Sequence, residues 1–174
     1  MNYGLFPGFP LQALANIAHG CAVFTSAESG KQFVVPDGVY ELFVLLVAGG
    51  GGGGNGTTNR GGLGGQSGEV LSRRLAVLPG QQIVVIIGGG GAAASSGAAS
   101  SFGSLITASG GAGGGQAVTD VPGMAGGAGL SQSGSYRHVA GSGSTGQPFG
   151  GGGSGGYGIF GGGAGAAGGC WVFW

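Results

Sequence analysis

The chain has 174 residues, of which 50 are glycine, and its five basic and five acidic residues give a formal net charge of zero. Collagen is excluded because glycine follows no strict three-residue phase and only six prolines are present. The scattered basic residues argue against nucleic-acid binding, and no run of 18 apolar residues predicts a membrane span. A flexible Gly/Ser linker fits poorly with the mean hydropathy of +0.36, so we expect ordered glycine-rich structure.

The first twenty residues differ in composition from the rest, and we predict that they form a docking segment ahead of one domain at 21–174. Pro10 is a suitable first residue for a short helix through Ile17, and Gly20 is the stop signal after it. The apolar side chains of the segment would pack on the chain's own sheet or become buried against another chain. These side chains are Tyr3, Leu5, Phe6, Phe9, Leu11, Leu14 and Ile17. No basic residue precedes Lys31, which argues against a secretory signal.

Short apolar runs separated by Gly, Pro and polar turns predict a mostly β domain. The longest run, 39–48, leads without a linker into six consecutive glycines at 49–54. Pro79 and Gly80 predict a turn and a hairpin between the strands on either side. The predicted strands are 21–24, 32–35, 39–48, 69–78, 82–87, 102–108 (a strand or an anchor) and 170–174.

Glycine-rich segments at 49–68, 88–101 and 110–169 connect these strands, the first with a polar tip at 55–60. Ordering the backbone costs about 1–2 kcal/mol per residue. Because glycine has no side chain to bury, the compensation must come from backbone hydrogen bonds, worth about 0.5–1.5 kcal/mol net each. Extended helices with three residues per turn can satisfy these groups between close neighbours. We therefore predict a bundle of polyglycine-II helices attached to the β-sheet structure.

Few residues offer chemistry beyond backbone hydrogen bonding. Cys21 and Cys170 lie in the first and last predicted strands, where a disulfide is conceivable but buried free thiols are favoured. With only His19 and His138 and no Cys/His cluster, we expect no metal site and no cofactor. The glycine runs match phosphate-loop patterns trivially, but no Gly-Lys-Ser/Thr follows them. We expect no enzymatic activity.

The order of these motifs resembles a known family. VFTSAESGKQFVVPDGVYELFVLLVAGGGGG at 23–53 resembles the start of the glycine-rich domains of many bacteriophage tail and tail-fibre proteins. The downstream LPGQQIVVIIG, Ser101-Phe102-Gly103 and the terminal GAAGGCWVFW also match, so the resemblance covers roughly residues 22–174. The glycine-rich domain of the anaplastic lymphoma kinase ectodomain is similar too. The resemblance implies a jelly-roll-like β-sandwich with an attached bundle of polyglycine-II helices.

The resemblance also implies a function. Similar fibre-tip adhesins touch a bacterial surface receptor through the loops between their glycine helices. The chain is thus expected to be a virion protein made in the host cytoplasm and joined through residues 1–20 to another fibre or tail protein. A homotrimer, or one cap on a trimeric fibre, is expected by analogy. The receptor would be a host surface polysaccharide or an outer-membrane protein.

The candidate receptor-binding residues are the side-chain-bearing positions of the glycine-rich region. They are Tyr136, Arg137, His138, Gln147, Phe149, Tyr157 and Phe160, with Asn59 and Arg60 on the first tip. Each could instead anchor the edge of the glycine lattice. For the whole chain, the alternative is a non-adhesive structural virion protein: a fibre, tail or capsid decoration subunit.

Overall fold

The computed structural model describes residues 19–57, 60–116, 145–146, 148–156 and 160–174. Their strands form two four-stranded antiparallel sheets with a shared core. The first sheet has the order β1 (Cys21–Phe24), β8 (Gly169–Phe173), β3 (Glu41–Val47) and β4 (Val70–Ala76). The second has the order β2 (Gln32–Val34), β5 (Gln82–Ile86), β6 (Ser100–Phe102) and β7 (Ile106–Ala108). A 3-10 turn at Ser26–Glu28 is the one helical element of the described ranges.

The core lies between the sheets and is made by alternate residues of their strands. Leu42, Val44 and Leu46 of β3 are buried, whereas Glu41 and Phe43 point outward. Burying one such side chain contributes about 1.5–3 kcal/mol. From the second sheet the core receives residues of the same kind, among them Phe33, Ile83, Val85 and Phe102. The mostly β, sandwich-like architecture predicted from the sequence is therefore confirmed.

Two predictions about strand connections are corrected. The run 102–108 is not one strand, because a turn at Gly103, with a φ of +55°, separates β6 from β7. The turn at Gly80 is present, but the hairpin prediction is wrong, since β4 pairs with β3 and β5 pairs with β2 and β6. The chain changes partners within four residues: Val77 N–H donates to the Tyr40 carbonyl, and Gly80 N–H to the Val35 carbonyl. A short turn here joins two sheets instead of two paired strands.

The two cysteines are free thiols. Cys21 is opposite Phe173 in the sheet and Cys170 is opposite Phe24, so the cysteines differ by three residues in register. An odd offset puts their side chains on opposite faces of the sheet, where they cannot bond. Cys170 is buried, as predicted, but Cys21 is exposed, which corrects the expectation of two buried thiols. Burial raises the pKa of the Cys170 thiol from 9.0 to about 12.

The glycine-rich segments form a bundle around residues 49–54. Their N–H groups donate in turn to three surrounding segments, so that residues three positions apart donate to the same segment. Gly49 and Gly52 donate to Ala98 and Ser95, Gly50 and Gly53 to Ala166 and Gly163, and Gly51 and Gly54 to Gln66 and Leu63. Their carbonyls accept with the same spacing from Gly111 and Gly114, Gly91 and Ala94, and Gly153 and Gly156. The twelve N···O distances lie between 2.7 and 3.0 Å.

Six segments thus surround the central one in the described part of the chain. Neighbours in this ring also bond to each other, as Gly65 N–H does to Gly153 O and Gly163 N–H to Ser154 O. In order around the ring, the segments are 62–69, 150–156, 163–168, 88–94, 95–98 and 109–115. At each of the six central glycines, an added Cβ would overlap a neighbouring carbonyl group. The absence of side chains is what allows the backbones to approach this closely.

The bundle is a direct continuation of the sheets. β3, β5 and β7 lead into the segments 49–54, 88–94 and 109–115, and the segments 62–69, 95–98 and 163–168 lead into β4, β6 and β8. The buried Ser100 joins the two parts, because its hydroxyl accepts from Gly88 N–H (2.9 Å) and donates to the Val47 carbonyl (2.8 Å). The bundle therefore has a sheet end and an opposite, distal end. We use the name distal end for the described residues among 55–62, 116, 156 and 160–162.

Candidate functional site

The distal end is held together by hydrogen bonds between two loops. Within the first loop, Thr57 N–H donates to the Arg60 carbonyl (3.1 Å) and Arg60 N–H to the Thr57 carbonyl (2.8 Å). Gly56 N–H donates to the carbonyl of Phe160 in the second loop at 2.9 Å. Asn55 accepts from Gly162 N–H through its side-chain oxygen, Oδ1, at 3.1 Å. These bonds fix the two loops relative to each other.

Two residues predicted from the sequence lie on these loops. Arg60 is exposed, and the Phe160 side chain is 43% exposed. The bond from Gly56 to Phe160 places the two loops side by side, so a cation and an aromatic ring occupy the same end of the bundle. Charged groups, aromatic faces and backbone amides are the groups that surface loops use for recognition.

A third connection leaves the bundle at this end. Gln116 forms an isolated antiparallel bridge with Gly62, and Leu63 N–H donates to the Gly115 carbonyl at 2.8 Å. Gln116 is exposed and precedes residues 117–144, which the structure does not describe. The predicted residues Tyr136, Arg137 and His138 belong to that connection. They lie outside the described residues, as do Asn59, Gln147, Tyr157 and residues 1–18, which contain the apolar side chains of the docking segment and its predicted helix.

Phe149 lies apart from the distal residues. Its ring makes a T-shaped contact with Trp171 of β8, with the ring centroids 5.0 Å apart. The next residue, Gly150, adjoins Val47 at the end of β3 and donates its N–H to Ala167 O. Phe149 thus contacts the first sheet and lies away from Arg60 and Phe160.

A family model described as "Glycine-rich domain" matches residues 25–169, which contain the whole described bundle and β2 to β7. The chain belongs to this glycine-rich domain family. A comparison with curated proteins found no match. The family assignment agrees with the glycine-rich part of the resemblance seen in the sequence.

Charge is distributed unevenly over this glycine-rich domain. Arg60 is the one charged side chain of the described distal end. The other described charged residues belong to the sandwich and its junction with the bundle: Glu28, Lys31, Asp37, Glu41, Glu69, Arg73 and Arg74. Several of these have local partners; Arg74 pairs with Glu41 at 2.8 Å, and Glu69 accepts from Ser109 N–H at 2.8 Å. The described distal end is therefore positively charged.

No three side chains from His, Cys, Asp and Glu lie together in the described ranges. Those ranges also hold no helix long and apolar enough to cross a membrane.

At the distal end, Asn55 was not selected from the sequence although it bridges the two loops. Its place immediately after the six-glycine run is the signal that could have identified it.

Proposed function

We propose that this glycine-rich domain is a bacteriophage tail-fibre or tail-tip protein whose distal loops recognise a receptor on the host cell surface. The observation that supports this most is the bonded pair of loops at the distal end, carried by a closely hydrogen-bonded bundle. The phage assignment rests on the order of motifs that resembles phage tail proteins. The sandwich at the opposite end would face the rest of the virion.

We also propose that the central segment and its six neighbours are polyglycine-II helices. Three observations support the proposal: hydrogen bonds repeat every third residue, six neighbours surround one segment, and a Cβ is sterically excluded at every central position. A helix with three residues per turn presents its N–H groups in three directions, which is the pattern of donors along 49–54. For the sandwich, eight strands in two sheets support a jelly-roll-like description.

Such a scaffold suits recognition without catalysis. Each bundle segment is held from several sides by backbone bonds, so the loops can differ in sequence while the scaffold stays unchanged. The exposed Arg60 and Phe160 supply a charged hydrogen-bond donor and an aromatic face. A surface polysaccharide or an outer-membrane protein of the host could bind to such groups by stacking and hydrogen bonding.

Binding of the purified protein to host cells, together with competition against infection, tests the proposal. We expect saturable binding that Arg60→Ala/Phe160→Ala and Tyr136→Ala/Arg137→Ala/His138→Ala weaken. The matched control is Arg73→Ala/Leu78→Ala, which also removes one arginine and one exposed apolar side chain, but from the sandwich. Folded wild-type protein that binds no host cell, while an antibody against it still labels virions, would favour the non-adhesive structural subunit.

A further inference from the structure

The outer face of the first sheet carries a continuous apolar surface. Cys21, Phe173 and Phe43 lie side by side across three strands, and the next row of the same face is Val23, Trp171 and Leu45. We call these six residues the outer apolar face. Phe149 already packs against Trp171, with the ring centroids 5.0 Å apart, so Cys21, Val23, Phe43 and Phe173 form the part that remains open. Val23, Phe43 and Phe173 are 49%, 43% and 42% exposed, and the Phe43 and Phe173 rings lie 6.2 Å apart. Contiguous apolar surface of this kind marks an interaction site.

The outer apolar face offers no unpaired charge to an occupant. Arg74 lies opposite Phe43, and Glu41 lies opposite Ala76 in the next row of the same face; the two side chains pair with each other at 2.8 Å. On the outer face of the second sheet, the exposed Val34, Val84 and Ile86 are interrupted by Gln32 and Gln82, whose side chains hydrogen bond to each other at 3.0 Å. The first face thus fits an occupant that is both apolar and uncharged.

We propose that residues 1–18 of the same chain cover the outer apolar face. The segment contains no Asp, Glu, Lys or Arg, and it carries the seven large apolar side chains of the predicted docking segment. It enters the fold at Gly20, which exchanges backbone bonds of 2.9 and 3.1 Å with Trp174 and directly precedes Cys21. The segment therefore joins the domain at the edge of the face that it would cover.

The length of the segment fits the size of the face. A helix over 10–17 would be about 12 Å long at 1.5 Å per residue. The five residues of β8 extend about 17 Å at 3.4 Å per residue. Three residues link the predicted helix to β1 and reach only about 10 Å, which keeps the helix close to Cys21. Leu11, Leu14 and Ile17 would then face the sheet. Of the two roles left open for this segment, the exposed face favours packing on its own sheet, independently of receptor binding.

Thiol labelling of the full-length chain tests the proposal. Phe43→Cys and Val84→Cys are introduced separately with Cys21→Ser, since Phe43 and Val84 are 43% and 45% exposed on different sheets. We expect the thiol at position 43 to react about tenfold more slowly than the thiol at position 84, because the segment must open first. Leu11→Gln/Leu14→Gln/Ile17→Gln should raise the rate at position 43 to that at position 84 and leave the latter unchanged. Equal rates at both positions with the native segment would overturn the proposal.

A second pair of variants decides the outcome if the glutamine substitutions loosen the whole fold and accelerate both thiols. With Cys21→Ser, oxidation should form an intramolecular disulfide between Leu14→Cys and Phe43→Cys, and none between Leu14→Cys and Val84→Cys. Failure to form the first disulfide contradicts the proposal. If dilution of a dimer removes the protection at position 43, a second copy of the chain covers the face. If the protection is found only within virions, a virion partner covers it. Either result also overturns the proposal.

Discussion

The central glycines should tolerate no side chain, and Gly52→Ala tests this most sharply. A Cβ at position 52 would overlap the carbonyl group of Ala92 in the neighbouring segment. The two segments must then separate, which strains the bonds that join them, from Gly91 N–H to Gly50 O and from Ala94 N–H to Gly53 O, both 2.8 Å. Leaving a buried backbone group without a partner costs about 1–3 kcal/mol.

The expected magnitude follows from these two bonds. If both are lost, Gly52→Ala lowers the free energy of unfolding by about 2–6 kcal/mol. The smaller entropy of the unfolded alanine chain offsets about 0.4–1 kcal/mol of this loss. For a chain of this length, each kcal/mol shifts the melting temperature by about 2–4 °C, so the loss is easily measured.

Gly89→Ala is the matched control. No heavy atom lies within 4 Å of a Cβ added at Gly89, which is exposed on the ring of the bundle. Its stability should therefore stay the same or rise by about 0.4–1 kcal/mol. Urea unfolding followed by circular dichroism measures both variants. Equal stability of the two variants would refute the reasoning that close backbone packing, and not glycine content, holds the bundle together.

Two further predictions concern the junction and the thiols. Ser100→Ala leaves Gly88 N–H and the Val47 carbonyl without their buried partner, so urea unfolding should show a loss of about 1–3 kcal/mol; a change below about 0.5 kcal/mol would contradict that role. At pH 8 a thiol reagent should label Cys21 in the native protein, at the slowed rate expected beneath residues 1–18, and Cys170 only after unfolding, as mass spectrometry would show. Native labelling of both thiols would contradict the buried position of Cys170. Because burial raises the Cys170 pKa from 9.0 to about 12, the stabilisation that comes from keeping this thiol protonated in the fold is complete below pH 9 and is lost as the pH rises towards 12.

The strands could be predicted from the sequence because their local signals agree with their tertiary role. The run 39–48 is apolar and rich in β-branched residues, and it is bounded by a turn before it and glycines after it. This pattern predicted a strand, and the run does contain β3. The hairpin predicted at Pro79 and Gly80 failed because turn chemistry is local, whereas the choice of partner strand depends on contacts with Tyr40 and Val35, about 40 residues away. The sequence of a short turn does not determine which sheet the next strand joins.

The arrangement of the glycine segments was only partly predictable. The density of glycine indicated backbone packing, but glycine has no side chain whose pattern could set register or select neighbours. One signal for the centre did exist, since 49–54 is the uninterrupted six-glycine run and the surrounding segments carry Ala, Ser and larger residues. The position of Arg60 at the distal end could be predicted from the polar tip. The position of Phe149 could not, because it depends on a contact with Trp171, which is distant in sequence.

Amide hydrogen exchange in the presence of host cell envelopes tests most directly whether the distal end is the recognition surface. Envelopes from the host bacterium of the proposed phage serve as the probe, and envelopes from a resistant strain serve as the control. We expect slower exchange at Gly56, Thr57 and Arg60 and at Gly161 and Gly162, with no change in β2 and β5. Protection confined to the sandwich, with unchanged exchange at the distal end, would contradict it.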